Sequence, residues 1–325
     1  MLAFVIRRIL QSVAVMIAVG LIAFTLFRFV GDPVNQMVGV DTPQAEITRL
    51  RESLGLNQPV VVQFVQFLWR AMHFDFGISY QFRLPVTQLL AERAPATLEL
   101  ALCAAVFALI VGVIMGVYSA LRKDSILAKV FQAVSLIGVS LPTFLIGILL
   151  IYLFAVGLRW LPSNGRGTVV TIGSWWTTGL LTTSGLKALV LPSITLGLFQ
   201  MTLIMRLVYA EMQEVLRTDY IKFARARGLQ TRAIHFGHAL KNTLIPVITI
   251  AGLQVGSIIA FAIITETVFN WPGMGLLFLK SVQNVDIPIM AAYLMFIGFL
   301  FVMINLVVDL LYAVVDPRLS IAMRS

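Results

Sequence analysis

Residues 218–246 read TDYIKFARARGLQTRAIHFGHALKNTLIP. No other polar interval between apolar runs is both this long and this densely basic. Thr218 or Asp219 suits the N-cap of a short helix. Lys222, Arg225 and Arg227 then fall in its last turns, where cations complement the helix dipole. Gly228 follows at the place where a left-handed residue ends a helix, with Leu229 leading away from it. Thr231 can open a second helix through His238 and Leu240, and Pro246 marks the chain's passage into the next apolar run. The expectation is two short helices joined at Gly228, with Tyr220, Ala224 and the cations on a compact knob at a membrane face.

The flanking sequence supplies the membrane. Apolar residues make up 59% of the 325 and charged residues 12%, and mean hydropathy is +0.93. Such a chain has too little polar surface to cover a soluble globule. Arg7 and Arg8 precede the run 9–30, which is longer than a signal-peptide core and lacks a small-x-small cleavage site, so it is expected to stay as a first transmembrane helix. Runs at 98–121, 131–157, 188–209, 244–267 and 289–315 follow, each long enough to span. The fold class is therefore an all-α polytopic membrane protein with six transmembrane helices. Pro142 and Pro192 are expected to interrupt or tilt theirs.

Between the first two spans, Gly31-Asp32-Pro33 ends a helix. Thr42-Pro43 resembles an N-cap with Pro at the first helical position, ahead of Ile47, Leu50 and Leu54 on one face and Gly55 at the stop. The run Val60 to Trp69 is too short to span and is expected at the interface or against the bundle. The interval 159–187 should lie outside the membrane, with Trp160, Trp175 and Trp176 at headgroup level.

Charge gives the orientation. Arg7, Arg8, Arg122, Lys123, Lys129, Arg206, Arg217, Lys222, Arg225, Arg227, Arg232, Lys241, Arg318 and Arg324 fall in alternate, mostly short intervals and make up more than half of the 24 basic residues. The remaining cations are spread over longer intervals with Asp32, Asp41, Glu46, Glu52, Asp75, Glu92, Glu99, Glu266 and Asp286 among them. The positive-inside rule then puts both termini and the Gly228 loop in the cytoplasm. This divides the chain into an N-terminal helix (1–30), an extracytoplasmic segment with short helices (31–97), a five-helix core (98–315) with a cytoplasmic loop at 210–243, and a cytoplasmic tail (316–325). The net charge of +9 is thereby a matter of topology in a lipid bilayer, and no nucleic-acid face is implied. The single cysteine, Cys103, lies within an apolar run and permits no internal disulfide.

Chemistry-bearing motifs are few. No G-x-x-x-x-G-K-[ST] phosphate loop occurs, and no Ser, His and acid cluster marks a hydrolase, so no catalytic residue is assigned. His235 and His238 are three apart without a Cys or carboxylate close by, which favours packing or docking over metal binding. Asp309, one turn from Asn305, is an acid near the inner end of the last span, with Arg318 or a headgroup as its expected partner. A secondary transporter would need repeated halves and a mid-span charge pair, and neither is found.

Several motifs, in order along the chain, resemble the membrane subunits of ABC importers, and the dipeptide/oligopeptide permease branch in particular. In the 218–246 stretch these are Asp219-Tyr220, Ala224 through Leu229, His238 through Asn242, and Ile245-Pro246. Elsewhere they are 51–59, Asp75 through Ser79, Pro85-Val86, Pro95 through Leu100, Glu266 through Phe269, Trp271-Pro272-Gly273-Met274-Gly275, Asn305-Leu306, Asp309-Leu310, Tyr312 and Asp316-Pro317-Arg318. Lys222 stands where many importers have Glu, and Pro246 lies farther from Gly228 than the general pattern; both features resemble the peptide branch. Phe74 takes a place where that family commonly has Gly.

The resemblance implies a type I ABC importer-like permease fold and a coupling loop that docks on an ATPase subunit through Asp219, Tyr220, Lys222, Ala224, Arg225, Arg227, Gly228, Leu229, His238 and Pro246. It further implies a homologous second permease subunit, two ABC ATPase subunits that hydrolyse the ATP, and an extracytoplasmic solute-binding protein. The implied function is import of dipeptides or oligopeptides across a bacterial inner membrane, with nickel, glutathione or another small solute as alternatives within the class. No cofactor is implied. Glu266, Trp271, Pro272 and Gly273 are expected at the substrate entrance or against a partner.

Overall fold

The computed structural model describes residues 2–29, 34, 43–53, 56–173 and 175–315. The expectations at Gly31-Asp32-Pro33, Asp41, Thr42, Leu54, Gly55 and the tail from Asp316 lie outside the described residues. In hydrocarbon every backbone N–H must be satisfied within the chain, so the long apolar runs fold as helices. Five are long and apolar enough to cross a bilayer: α1 (Leu2–Phe29), α4 (Val86–Leu121), α7 (Thr183–Val215), α9 (Leu240–Val268) and α11 (Ile287–Val315).

The remaining expected span is broken. α5 (Ile126–Ser140) and α6 (Thr143–Leu150), the latter prolonged by a π-helical segment at Ile151–Gly157, are bent by 118° where they meet. Leu141 is extended (φ −94, ψ 139) and Pro142 starts the second leg; the proline ring disfavours helical geometry in the residue before it. Packing elsewhere decides whether this pair crosses. Gly112 lies against Met201 and Ile204, and Gly116 against Met205 and Val208. A Cβ on Gly116 would stand 2.7 Å from the Met205 carbonyl oxygen, so these small residues permit the close approach. The numbers rise together, so α4 and α7 are parallel, and the chain between them must return across the bundle. The bent pair is therefore one crossing, which makes six spans among the described residues.

Neighbouring contacts order the ends. Thr243 meets Met212, and Gln200 meets Gln254, so α9 runs against α7. Gly252 and Gly256 face Val308 and Phe301, so α11 runs against α9. Gly298 faces Val19, and Arg8 pairs with Asp309, so α1 runs against α11. One end of the bundle thus gathers the start of α1, residues 122–125, residues 216–239 and the end of α11. The other gathers residues 56–85, 158–182 and 269–286.

Helix limits depart from the apolar runs. α4 begins at Val86 rather than 98, and α7 extends from Thr183 to Val215. Thr182 caps α7, its hydroxyl accepting from the Gly185 amide at 3.0 Å. Pro192 does not interrupt α7, and Pro95 and Pro246 likewise sit inside helices. Each proline removes one N–H from the ladder, and the low-dielectric surroundings hold the rest of the helix together. The 159–187 interval contains a feature below the reach of periodicity, a two-stranded antiparallel hairpin of β1 (Val170–Ile172) and β2 (Trp176–Thr178).

Two shorter helices, α2 (Gln44–Ser53) and α3 (Val60–Met72), precede α4. α3 presents Val61 and Trp69 outward at 72% and 62% exposure, while Gln63 is buried. The Gln63 amide is satisfied, donating to the Leu56 and Gln58 carbonyls and accepting from Arg28 at 3.0 Å. Polar-in and apolar-out suits a helix lying on the bundle with its outer face in lipid.

Phe74, after α3, has φ +56, the left-handed region that glycine occupies without strain. The hydroxyl of Thr87 donates to its carbonyl at 2.6 Å and holds the turn. Phe74→Gly is expected to stabilise the chain by about 1 kcal/mol through relief of that strain. Detergent-solubilised protein titrated with SDS should show the gain as a later unfolding midpoint, and an earlier midpoint would refute it.

Candidate functional site

The knob is built on α8 (Asp219–Ala226). Thr218 stands at the N-cap, but its hydroxyl donates back to the Val215 carbonyl at 2.6 Å and does not cap the new helix. The C-terminal end is as the residues suggest. Gly228 has φ +75, its amide donates to the Arg225 carbonyl at 2.9 Å, and the Leu229 amide donates to the Ala224 carbonyl at 3.3 Å. These two bonds form a Schellman motif that satisfies carbonyls the helix would leave open.

The second helix is not a separate short one. A π-helical segment, Ala233–Ala239, runs directly into α9, and Pro246 lies within that helix. The knob is thus one short helix, one turn at Gly228 and the projecting start of a span.

Its inner face is fully packed. Ile221, Ala224, Ile234 and Ala239 are at most 8% exposed and join Val208, Met212 and Val247 in one core cluster. Ala224 therefore seats α8 on α7 and α9 and does not face outward to a partner. The Tyr220 hydroxyl accepts from Asn242 at 2.7 Å, which ties α8 to the start of α9. Gln213 donates to the Ala120 carbonyl at 2.8 Å and ties α7 to α4.

The outer face carries Phe223, Phe236, Leu229 and Tyr220 at 64%, 52%, 43% and 41% exposure. Arg225, Arg227, Lys222 and His238 are exposed around them. Lys222 pairs with Asp219 at 2.8 Å, and Arg227 lies over the Phe223 ring. An apolar centre with a basic rim is the composition of a protein-docking patch. Burial, reinforced by the Arg225 charge, holds the His235 imidazole below its ordinary range. Phe223 and Phe236 were not singled out from the sequence. An aromatic residue between Lys222 and Ala224 in a short helix was the available signal, and only the burial of Ile221 and Ala224 shows which face is left over.

At the opposite end the expected entrance residues are interior. Glu266 and Trp271 are 0% exposed, Gly273 is buried, and Pro272 is half-buried. Glu266 accepts from the Thr97 hydroxyl at 2.6 Å and the Leu276 amide at 2.9 Å. Thr97 accepts in turn from the Met274 amide, and the Trp271 ring N–H donates to the Ala96 carbonyl at 2.9 Å. A Cβ on Gly273 would collide with the Glu266 carboxylate. The two sequence motifs, 95–100 and 266–275, thus lock onto each other and fix α4 to the turn between α9 and α10 (Met274–Gln283). They lie inside because a carboxylate needs the amides of a turn around it, and those amides are here.

Further charges are buried nearby. Glu99 pairs with Arg166, with side chains 2% and 7% exposed. Glu99 also accepts from the Gly179 amide at 3.0 Å, while Arg166 donates to the Thr177 carbonyl at 2.7 Å. Asp286, 0% exposed, accepts from the Ser79 hydroxyl and the Gln81 amide. Outside the spans, Arg70 holds the Asp75 carboxyl below its usual range, with the Gly77 amide assisting. Asp309 is paired with Arg8 of the first helix, while the expected partner Arg318 lies outside the described residues.

The family follows from the whole chain. The model of the binding-protein-dependent transport system inner membrane component matches residues 81–321, and that of the N-terminal membrane component of such systems matches residues 1–101. This chain belongs to that family. Among curated relatives of this permease, the "Probable peptide ABC transporter permease protein y4tP" of Sinorhizobium fredii (strain NBRC 101917 / NGR234) is 37% identical, covering 97% of this chain and 98% of the relative. The dipeptide transport system permease protein DppB of Escherichia coli (strain K12) is 36% identical, covering 98% and 99%. Among solved structures, an inward-facing MetNI methionine ABC transporter aligns with TM-score 0.49 at 19% identity, over 71% of this chain and 94% of that one.

Proposed function

We propose that this permease is the transmembrane subunit through which an ATP-driven importer moves dipeptides or short oligopeptides across a bacterial inner membrane. The observation that carries the mechanism is the rigid knob, packed within and apolar-basic without, on the end that holds both termini of the described bundle. ATP is hydrolysed on separate ATPase subunits, which dock against Tyr220, Phe223, Leu229 and the surrounding cations. Their closure is a rigid-body motion. Because α8 is bonded to α9 through Tyr220 and shares a core with α7, pushing the knob tilts both spans together. A homologous permease subunit completes the pathway, and an extracytoplasmic solute-binding protein delivers substrate. The peptide assignment is supported by the names of the full-length relatives.

The orientation is tested with cysteines in a Cys103→Ala background. A reporter at Thr171 is expected to react with an impermeant thiol reagent added outside intact cells, and one at Gln230 only after permeabilisation. The reverse pattern overturns the orientation. Uptake of a radiolabelled dipeptide by cells carrying the complete transporter tests the function. It is expected to require both the ATPase subunits and the Phe223 face, and uptake that persists without the ATPase subunits refutes the proposal.

A further inference from the structure

A groove opens on the flank of the knob, beside the Phe223 face, and shares Phe236 with it. It encloses about 760 Å³ between the last turns of α4 and the π-helical segment. Val113, Ile114, Val117 and Leu121 form its apolar wall, Phe236 lies opposite, and Arg122 and Arg232 stand at its mouth. Ile114 is 60% exposed along this wall. Both arginines are exposed, and neither guanidinium has a hydrogen-bond or ion-pair partner among the described residues. Tyr118 lines the groove where the span ends, the level at which aromatic side chains meet headgroups.

We propose that this groove binds one anionic phospholipid, its phosphate between Arg122 and Arg232 and an acyl chain along Val113, Ile114 and Val117. The argument is charge complementarity joined to depth. Two unpaired cations lie at the end of a transmembrane helix, directly above an apolar trough that starts within the span. A soluble anion would use the cations and leave the trough empty. A zwitterionic lipid would use the trough and offer its phosphate, but would also bring an ammonium group up against the two arginines. An anionic phospholipid satisfies both, in the manner of basic pockets between transmembrane helices. Because the groove is walled by α4 on one side and the knob on the other, the lipid would brace the knob against the bundle. The inference needs only that this end lies at a membrane surface, and it survives if the transported solute is not a peptide.

The test uses the full chain in vesicles of phosphatidylcholine containing a small fraction of photoactivatable phosphatidylglycerol, with labelled peptides mapped after illumination. Labelling is expected within 113–122 and 231–240. Arg122→Gln with Arg232→Gln should lower it roughly 30-fold, since each cation near the surface contributes about a fivefold factor. Lys129→Gln with Arg217→Gln removes equal charge from the same end and should change it less than about twofold. Ile114→Trp fills the trough with the cations intact and should also abolish labelling, which separates a site from general attraction. Excess inorganic phosphate should not compete. Undiminished labelling in the double arginine variant, equal labelling by a photoactivatable phosphatidylcholine, or loss of labelling when the ATPase subunits bind would each overturn the proposal. The last outcome would make the groove a protein contact.

Discussion

Gly228→Val is expected to reduce ATP-driven peptide uptake to a few per cent of the parent while the six-span bundle still inserts. Gly228 holds φ +75 with open space where a Cβ would stand, so the penalty is conformational and not a clash. A residue with a Cβ adopts this geometry at about 1–2 kcal/mol, and a β-branched one at more. The turn relaxes by giving up the paired bonds to Arg225 and Ala224, and α8 swings relative to α9. The spans do not depend on those bonds, so expression and span accessibility should be unchanged.

Two companions separate geometry from contact. Phe223→Asp leaves the backbone alone and places a charge in the exposed apolar centre, so co-purification with the ATPase subunits should fail while the knob stays folded. Ala224→Glu puts an unpaired charge into the cluster of Ile221, Ile234 and Met212 and should loosen the knob itself. Limited proteolysis after Arg225 or Arg227 would then speed up in Ala224→Glu and remain slow in Phe223→Asp. Normal uptake in both Gly228→Val and Phe223→Asp would mean that residues 218–246 do not couple ATP hydrolysis to transport.

Arg166→Leu is expected to cost about 3–5 kcal/mol of stability, the cost of stranding a buried charge. Glu99 would keep the Gly179 amide and lose its only ion-pair partner among the described residues. The Thr177 carbonyl and hydroxyl would lose their guanidinium donor as well. Adding Glu99→Leu removes the stranded carboxylate and should restore more than half of the loss, because a buried ion pair replaced as a unit by apolar groups is often near neutral. The measurement is the SDS unfolding midpoint of the four chains of this double-mutant cycle. Equal midpoints for Arg166→Leu and the parent would show that the pair does not hold the 159–182 segment onto α4.

Much of this was legible before any coordinates. Apolar runs of about twenty residues between charged intervals can only be spans, because hydrocarbon forces backbone groups to bond within their own segment. Gly228 was legible because ending a helix in αL is a demand that one residue type meets without strain. Phe74, where the resemblance implies a glycine, has φ +56, the same left-handed region.

Direction and partnership were not legible. Proline by itself does not say whether a helix breaks: Pro142 breaks one, while Pro192 and Pro246 do not, since the outcome depends on whether neighbours hold the flanking turns. Glu266 reads as an acid at the substrate entrance or against a partner, yet it is enclosed by the Leu276 amide of the turn that follows it and by Thr97, 169 positions away. Asp309 finds Arg8 across 301 positions, a partner that no local reading of the last span points to. Ala224 reads as part of a docking face and is instead the small residue that lets α8 lie flat on its own bundle. Periodicity, composition and turn chemistry are local, and they determined that the chain has six spans and a glycine-hinged knob. Which side of each polar residue faces protein is set by contacts between segments far apart in sequence, and only the tertiary structure decided that.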